Sequence, residues 1–489
     1  GSAGGIRLQN KGILDLASSV ISENVAFLGG GGTFCGKETT RDALDSELVA
    51  NHVQAGNGAG MLGFSRSSVH LIRCTFSNNV AEYSGAAVYL YGGTSDRPST
   101  LEVGGSMERN LAGFHGGAIA AWHNSVVIIS SDVRIHGNRA KIYGGGVHAQ
   151  TSWVTIRNNV TISNYTAPRG GAMFLDRCRT NISRQVRLTM NRATADGGGI
   201  WASNSTVELG NVTRVAECAA AVASANSSIA EKLMLGTMRP CLEVHLDSNH
   251  ARYGGGIGLE GNWIDAAGMN LERDEADYDG GGLYGATSWV LLQMSLLVEN
   301  RAVRGAGTMG MDGSNFTVLD AIFANNSASG DGAAIHLYTD VPSSTMRRTR
   351  AFGNRAERGA VAFLARERPD NASLFHLNLD DCRSQDNVAE VGGSLVYWEP
   401  SEPFTWSCSN CVSPTNGTFT WVGINCQGSW SKLHSWLTFD NESSCIHCSS
   451  LEEGTVTYPD GKSCNAWMTN EDGIRSCQTA DEGSACLAP

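Results

Sequence analysis

Apolar and polar residues alternate in short runs along the first four hundred residues, and the runs return at a nearly constant interval. Val154-Thr155-Ile156 and Val160-Thr161-Ile162 are two examples. Alternation with β-branched residues predicts strands that bury one face. About three such runs fill each interval of roughly 27 residues, and no stretch shows a helical period. The pattern therefore predicts short strands throughout this region.

Each interval also carries one motif: Asn-x-Ala, a few variable residues, then two or three small residues and a branched apolar one, as in Asn138–Val147. Asn164 belongs to a looser copy. Degenerate copies are expected near Asn51 and around Cys218–Val222, and one unit keeps Asp279–Leu283 without the Asn. The clear copies place an asparagine at one corner of each repeat: Asn24, Asn79, Asn110, Asn138, Asn191, Asn249, Asn300, Asn326, Asn354 and Asn387.

Repeats of this length predict a solenoid. The expected fold is all-β: a right-handed parallel β-helix of about 14 coils with three strands per coil, over residues 1–400, followed by a small disulfide-rich, distantly EGF-like module. The asparagines are expected to form a hydrogen-bonded ladder while adopting the left-handed backbone of a sharp corner. Glycine supplies positive φ at the next corner. The alanine two residues after each Asn suits a tight inward position.

The cysteines divide the chain in the same way. Six of the 14 lie in the repeats, and eight lie in the last eighty or so residues, beyond a boundary at Glu399–Pro403. Residues 401–489 contain two copies of Cys-x2-Cys-x5-Gly-Thr, which indicates disulfides, with a zinc site as the alternative. The cysteines predicted to form disulfides are Cys218 and Cys241, around an irregular excursion, and Cys408, Cys411, Cys426, Cys445, Cys448, Cys464, Cys477 and Cys486.

A family resemblance rests on the repeat motif, which is most complete at Asn110–Ile119. This stretch resembles the repeat of the chlamydial polymorphic outer-membrane proteins. Similar repeats occur in large secreted proteins of algae and other protists, including the mastigoneme proteins of ciliary hairs. The resemblance covers residues 1–400 and implies a β-helix in a surface or secreted protein.

Charge and sequons limit the partners and the location. A net charge of −12 argues against nucleic acid and anionic membranes as partners, and no apolar run is long enough for a transmembrane helix. Cysteines together with Asn-x-Ser/Thr sequons predict a secreted or extracellular glycoprotein. Glycosylation is expected at Asn159, Asn181, Asn204, Asn211, Asn226, Asn315, Asn325, Asn371, Asn416 and Asn441; Asn164 is also a sequon, but it doubles as a ladder position.

Candidate chemistry is sparse. Glu272, Asp274, Glu275, Asp277 and Asp279 are expected to share one loop, where solvation is the ordinary role and Ca²⁺ binding the sharper alternative. No catalytic motif, cofactor motif or metal-ligand spacing is present in the sequence. Tryptophans recur at comparable places and several are expected to share one side of the rod, through packing or as a contact stripe: Trp122, Trp153, Trp201 and Trp289.

These features predict a structural subunit of an extracellular assembly, most specifically a ciliary hair of the mastigoneme type or a cell-wall or matrix filament. The expected partners are further copies of the chain or other extracellular glycoproteins, and no enzyme activity is expected. One alternative is an adhesin that binds protein or glycan. The other is a polysaccharide lyase or hydrolase, which would carry stacked acids around a groove.

Overall fold

The chain winds into a parallel β-solenoid in which each turn pairs in register with its neighbours. The computed structural model describes residues 3–94, 96–222, 229–234, 236–338, 343–365, 375–392, 396–398, 404–409, 455–457, 463–469 and 475–479. These residues form about thirteen turns, one fewer than predicted. Strand spacing of about 4.8 Å makes the stack about 60 Å long.

Sheet 1 follows the glycine corner of every turn. Apolar residues in register, such as Ile119, Val147 and Met173, stack along its inner side and are fully buried. Its fourteen strands are Ile6–Leu8, Thr33–Cys35, Met61–Phe64, Val88–Tyr91, Ile119–Trp122, Val147–Gln150, Met173–Asp176, Ile200–Ser203, Ile257–Glu260, Leu283–Ala286, Met309–Asp312, Ile335–Tyr338, Ala362–Ala365 and Val396–Trp398.

Sheet 2 is bent, and most turns contribute two strands to it, which we call arm 1 and arm 2. A turn therefore holds four strand segments, whereas the sequence predicted three. Ser68–Ser77 and Ser99–Glu108 run through both arms. The other arm 1 strands are Ile13–Ala17, Thr40–Leu44, Ser125–Ser130, Trp153–Arg157, Arg179–Ser183, Thr206–Leu209, Trp263–Ala267, Trp289–Gln293, Asn315–Leu319, Ser343–Arg347, Phe375–Asp380 and Phe404–Ser409. The other arm 2 strands are Val20–Ser22, Glu47–Val49, Arg134–His136, Val160–Ser163, Val186–Thr189, Val244–Asp247, Met269–Glu272, Leu296–Val298, Ile322–Ala324, Arg350–Phe352 and Arg383–Gln385.

Sheet 3 closes each turn and is built on the Asn-x-Ala motif. Alanines two residues after the ladder position, such as Ala112 and Ala251, are fully buried and leave little room for a larger group. Its thirteen strands are Val25–Ala26, His52–Val53, Val80–Ala81, Leu111–Ala112, Arg139–Ala140, Thr166–Arg169, Arg192–Asp196, His250–Tyr253, Glu275–Asp279, Arg301–Ala302, Ser327–Ala328, Arg355–Arg358 and Val388–Gly392.

The asparagine ladder runs inside the corner between arm 2 and sheet 3. In a regular rung, the Oδ1 of Asn79 accepts hydrogen bonds from the backbone N and the Nδ2 of Asn51, both at 3.0 Å. The Asn79 Nδ2 donates to the carbonyl of Leu48 at 2.8 Å and to Asn110 Oδ1 at 2.9 Å. We number the turns 1 to 13 by their ladder residues: Asn24, Asn51, Asn79, Asn110, Asn138, Tyr165, Asn191, Asn249, Asp274, Asn300, Asn326, Asn354 and Asn387.

The backbone at this corner differs from the prediction. The ladder asparagines do not have positive φ; the residue before each ladder position does, whatever its type, as at Glu23, Met190 and Asp386. Asn51 is a full rung, although its motif is degenerate. Asn164 is exposed with a φ of 63°, and Tyr165 occupies the ladder position instead. In this looser copy of the motif, the ladder position is therefore one residue later than the sequence predicted.

An insertion, and no further turn, fills the long gap between Asn191 and Asn249. These two residues are neighbours in the ladder, joined by an Nδ2 to Oδ1 hydrogen bond of 2.9 Å, so the predicted degenerate repeat around Cys218–Val222 is wrong. The chain leaves after arm 1 of turn 8 and forms helices Val212–Ala221 and Ile229–Met234 and a 3₁₀ turn, Arg239–Cys241. Alanine-rich sequence favours helix here because no neighbouring strand pairs with it.

The predicted Cys-rich module lies largely outside the described residues. Phe404–Ser409 pairs in parallel with Phe375–Asp380 and so extends sheet 2 past residue 400. Thr455–Thr457, Ser463–Thr469 and Arg475–Thr479 form a three-stranded antiparallel sheet. No described contact tests the predicted disulfides in this part, and the domain boundary stays a prediction.

Candidate functional site on the outer face of sheet 2

A groove of about 950 Å³ runs parallel to the solenoid axis, along the bend between the arms of sheet 2. It spans turns 1 to 5. Its floor includes the exposed side chains of Leu44 and Ile72. One wall is a row of residues paired in register on arm 1: Asp15, Asp42, His70 and Glu102. Its volume is at the upper end of the range typical of small-ligand sites, although it is open along one side.

Negative charge dominates the turns that form the groove. Arg73 lies among these acids, but it donates two hydrogen bonds to Asp45, at 2.7 and 2.8 Å, which lower the pKa of that carboxyl. His70 Nδ1 lies 2.8 Å from Asp42 Oδ1. We define the acidic zone as the outward carboxylates of the two arms in turns 1 to 4: Asp15, Asp42, Asp45, Glu47, Glu102 and Glu108.

Positive charge dominates the same face in turns 5 to 7. Asp132 also lies here, where it accepts a hydrogen bond of 2.7 Å from Asn159. The rows are continuous, because Glu47 of turn 2 and Arg187 of turn 7 occupy the same position of arm 2. We define the basic zone as the exposed arginines of this stretch: Arg134, Arg157, Arg179, Arg184 and Arg187.

The predicted tryptophan stripe splits between two faces. Trp153 and Trp289 are exposed at the start of arm 1, where Trp289 stacks on Trp263 with ring centroids 4.8 Å apart. Trp122 and Trp201 lie on sheet 1 instead. One common side for these tryptophans is therefore wrong. The motif position that looked equivalent in sequence belongs to two different strands of the turn.

The outer side of sheet 1 carries a packed aromatic cluster. His148 lies 4.7 Å, between ring centroids, from both His115 and Trp122, and Tyr143 stacks on Phe174 at 4.3 Å. Burial lowers the pKa of His115 to about 4 and that of His148 well below its usual value. Both imidazoles are therefore neutral near pH 7, and the cluster acts as a second, external core.

One carboxylate–imidazole pair resembles the pairs used in catalysis, but it is enclosed. His336 Nδ1 lies 3.0 Å from Asp279 Oδ1, reaching past Gly305, where a Cβ would collide with the imidazole. Only 3% of the His336 surface is exposed, and its Nε2 has no protein partner. A general base must reach its substrate. This pair therefore serves packing between turns 9 and 12.

The predicted acidic loop does not exist as a loop. Glu272 ends one strand, Met269–Glu272, and Glu275, Asp277 and Asp279 alternate along the next, Glu275–Asp279. Asp274 is a buried ladder residue, and Asp277 lies 3.2 Å from His250. Within the described residues, no group of three or more His, Cys, Asp or Glu side chains is arranged to hold a metal ion.

Arg41 is a buried cation that sequence reasoning missed. It points inward from arm 1 of turn 2, donates to Thr33 Oγ1, and leaves Nε and Nη2 without partners. Burial lowers the pKa of this guanidinium, and the nearby Cys35 and Cys74 partly offset that effect. Cys35, Cys74, Cys178 and Cys382 are free thiols.

Three local contacts hold the insertion of turn 8 together. A disulfide joins Cys218 to Cys241, the Asn211 side chain caps the first helix by accepting from the Arg214 amide, and Arg214 lies 2.8 Å from Glu243. Val215 and Leu233 pack in one cluster with residues of arm 2 in turns 10 and 11, which include Leu296 and Ile322. The insertion thus covers the outer face of arm 2 beyond turn 8.

The sequons within the described residues lie at the surface or close to it. Asn159, Asn204, Asn211 and Asn325 are exposed, and Asn181 and Asn315 are half-buried. Asn226, Asn371, Asn416 and Asn441 lie outside the described residues. Two of the sequons, Asn159 and Asn181, fall on sheet 2 within the basic zone. Glycosylation itself stays a prediction.

Comparison with known proteins supports the repeat type. The family model for the Chlamydia polymorphic membrane protein repeat matches residues 320–338. These residues begin after arm 1 of turn 11. The matched unit therefore contains arm 2 and sheet 3 of turn 11 and the sheet 1 strand of turn 12. No curated protein matches the chain. Among the described residues, no helix is both long and apolar enough to cross a membrane.

Proposed function

We propose that the chain is a structural subunit of an extracellular glycoprotein assembly, built as a right-handed parallel β-helix. The observation that supports this role is the ladder of thirteen turns, in which side-chain amides add axial hydrogen bonds to those of three sheets. The backbone hydrogen bonds between successive turns run along the axis, so bending the rod would strain many of these hydrogen bonds at once. Right-handed connections are the general rule between parallel strands of one sheet.

A surface or secreted location fits the repeat type, whose matched family is named for membrane proteins of Chlamydia. A ciliary hair of the mastigoneme type is the most specific form of the proposal, and a cell-wall or matrix filament is the general form. The partners are further copies of this chain or other extracellular glycoproteins. No catalysis is required for this role.

Self-association of the whole chain tests the proposal. Sedimentation equilibrium across a wide concentration range, followed by electron microscopy, should show dimers or filaments formed from rods. A chain that stays monomeric at the highest soluble concentration would contradict the structural role.

The adhesin alternative is favoured by one observation, the axial groove of turns 1 to 5. Its apolar floor and acidic wall would suit an extended ligand with cationic or hydroxyl groups. Binding to immobilised glycans or peptides, lost in a variant that fills the groove such as Gly104→Trp, would support this function. Such binding by a chain that does not self-associate would move adhesion ahead of assembly.

The enzyme alternative also has one observation in its favour. Asp15 and Asp42 lie on adjacent strands in register, as paired acids of a polysaccharide-active enzyme would. Asp42 is held by His70 at 2.8 Å, which gives it a structural partner. Release of sugars from soluble polysaccharides, abolished by Asp15→Asn or Asp42→Asn, would establish the enzyme and contradict the proposal that the chain is non-catalytic.

A further inference from the structure

The outer face of sheet 2 changes sign along the solenoid axis. The acidic zone occupies turns 1 to 4 and the basic zone turns 5 to 7, with the change between Glu108 and Arg134. Both zones lie on the same two arms, because the strands pair in register from one turn to the next. A face of this kind is complementary in charge to the same face turned end for end.

We propose that this face binds a second copy of the chain, with the two rods antiparallel and related by a two-fold axis that crosses the face between turns 4 and 5. The inference rests on the proposed structural function and names its contact surface. A two-fold axis places each patch of one copy on its complement in the other, so that every contact occurs twice.

The register of the turns determines which residues meet. About the boundary between turns 4 and 5, turn 2 faces turn 7, and arm 1 faces arm 1. Arm 2 then brings Glu47 to Arg187. On arm 1, Asp42 lies opposite Asn181, two residues along the strand from Arg179. At the bend between the arms, Asp45 meets Arg184. The bend and arm 2 therefore pair opposite charges about a single axis.

The pairing also covers apolar surface near its centre. Turn 3 faces turn 6, which sets the exposed Ile72 opposite Arg157, whereas Trp153 lies opposite Ser68. Burying apolar groups adds affinity that charge alone does not supply, because exposed ion pairs are each worth little. The groove floor, which is otherwise an open apolar strip, becomes the centre of an interface.

The insertion of turn 8 limits the contact to turns 2 to 7, because the axis between turns 4 and 5 sets turn 1 opposite turn 8. It projects from the bend between the arms and packs over arm 2 of turns 10 and 11, where a partner rod would otherwise continue. Six turns at about 4.8 Å per step give a contact about 30 Å long, and with both arms included this approaches the roughly 800 Å² per partner of a standard interface.

Other arrangements of two copies fit the charges less well. A parallel pair in the same register sets acid against acid and base against base. A parallel pair staggered by about five turns, or about 24 Å, matches one zone on each rod and leaves the other free, which would produce an open filament. The antiparallel pair is the arrangement that satisfies both zones and closes.

Reversed charges test the contact by sedimentation equilibrium of the whole chain. The base-reversed variant Arg184→Glu/Arg187→Glu and the acid-reversed variant Asp45→Lys/Glu47→Lys should each weaken the homodimer by about a hundredfold or more, because attraction becomes repulsion at four contacts. An equimolar mixture of the two should recover a heterodimer. High salt should weaken the wild-type dimer. The control is Arg301→Glu/Arg355→Glu on sheet 3, which should dimerise like the wild type.

Distances between spin labels test the orientation. Labels at Val25→Cys in turn 1 and at Leu111→Cys in turn 4 lie on sheet 3, away from the contact. In the antiparallel dimer, the two turn 1 labels are offset axially by about 34 Å and the turn 4 labels by about 5 Å. Equal distances for the two label positions would indicate parallel rods and overturn the two-fold arrangement.

Three results separate the ways in which the inference can fail. Variants that associate as strongly as the wild type, or a mixture that gives no heterodimer, would overturn this contact while leaving the structural function standing. A wild-type chain that never associates would overturn both. A glycan on Asn159 or Asn181 of the native protein would overturn the contact alone, because both side chains lie in the basic zone; their Nδ2 groups donate to Asp132 and Glu208, at 2.7 and 3.0 Å.

Discussion

Asp274 is the rung of the ladder whose replacement by asparagine should stabilise the solenoid. Its Oδ1 accepts from the backbone N and Nδ2 of Asn249, both at 2.8 Å, as an asparagine would. Its Oδ2 is buried without a hydrogen-bond partner. In the next turn, the corresponding Nδ2 of Asn300 donates at 3.1 Å to Asn326 Oδ1 and at 3.0 Å to the Leu271 carbonyl.

The same register places two acceptors beside the Oδ2 of Asp274, namely Asn300 Oδ1 and the carbonyl of Leu246. A carboxylate there repels both, and a neutral carboxyl satisfies one of them. Burial raises the pKa of Asp274 well above its usual value, and the charges of Asp247 and Glu272 raise it further. Asp274→Asn supplies two donors, so we expect about 1 kcal/mol of stabilisation at pH 4 from the added hydrogen bond.

The gain should grow with pH. The unfolded carboxyl releases its proton near its ordinary pKa of about 4, whereas the folded one retains it. The wild type therefore loses stability as pH rises above about 4, until pH passes the raised folded pKa; the variant lacks this loss. Near neutral pH the difference should reach about 2–4 kcal/mol, the cost of a buried group left without its partners.

Hydrogen exchange of the strand Met269–Glu272 and of Asp274 itself provides the assay, because a long solenoid opens in parts and its stability is local. The exchange rates are corrected for the intrinsic effect of pH. Glu275→Gln is the matched control, because Glu275 is the neighbouring acid on the exposed side of sheet 3 and should change little. A destabilised Asp274→Asn variant, or a gain equal at pH 4 and pH 7, would refute the assignment of two acceptors at Oδ2.

Two further predictions concern the insertion and the aromatic cluster. Cys218→Ser/Cys241→Ser should speed proteolysis within residues 211–243 and remove about 3 kcal/mol from the local stability of the insertion. Thermal unfolding of the sheets, followed by circular dichroism, should stay near that of the wild type. Cooperative loss of the whole solenoid would contradict an insertion that unfolds separately from the sheets. Because burial lowers the folded pKa of His115 to about 4, the wild type should lose stability as pH falls from about 6.5 to about 4, and His115→Gln should lose less over that range; identical pH profiles of the melting temperature would contradict the buried neutral imidazole.

The fold could be predicted from the sequence because its repeating unit is written directly in the residues. Period-two alternation locates strands, and the asparagine recurs at the same corner of each turn. Asn51 shows that even a degenerate motif was enough to predict a rung. The number of strands per turn was missed because sheet 2 bends at residues such as Asp45 and Arg73, whose positive φ has no sequence signature.

Departures from the repeat were harder to predict than the repeat itself. The gap after Asn191 had the length of two units, but part of it forms helices. The prediction failed because length alone does not distinguish an insertion from a turn. Tyr165 occupies the ladder position next to Asn164, where the motif favoured the asparagine. The acids at 272–279 were placed in a loop because nothing local marks Asp274 as a substitute for asparagine.

The candidate site could not be predicted because it is a property of stacked turns. Glu47 and Arg187 are far apart in sequence, and only the register of arm 2 puts them in one row. The net charge of −12 did not reveal the separate acidic and basic zones, because a net charge does not say where the charged residues lie. The tryptophans show the opposite problem: Trp122 and Trp153 occupy similar positions in the motif but lie on different faces of the solenoid.

Electron microscopy of the full chain as it is obtained from its native source tests the central claim, that this solenoid is a structural rod that assembles with itself. We expect rods whose solenoid part is about 60 Å long, joined side by side or in filaments. Single rods that remain separate at high concentration would contradict it.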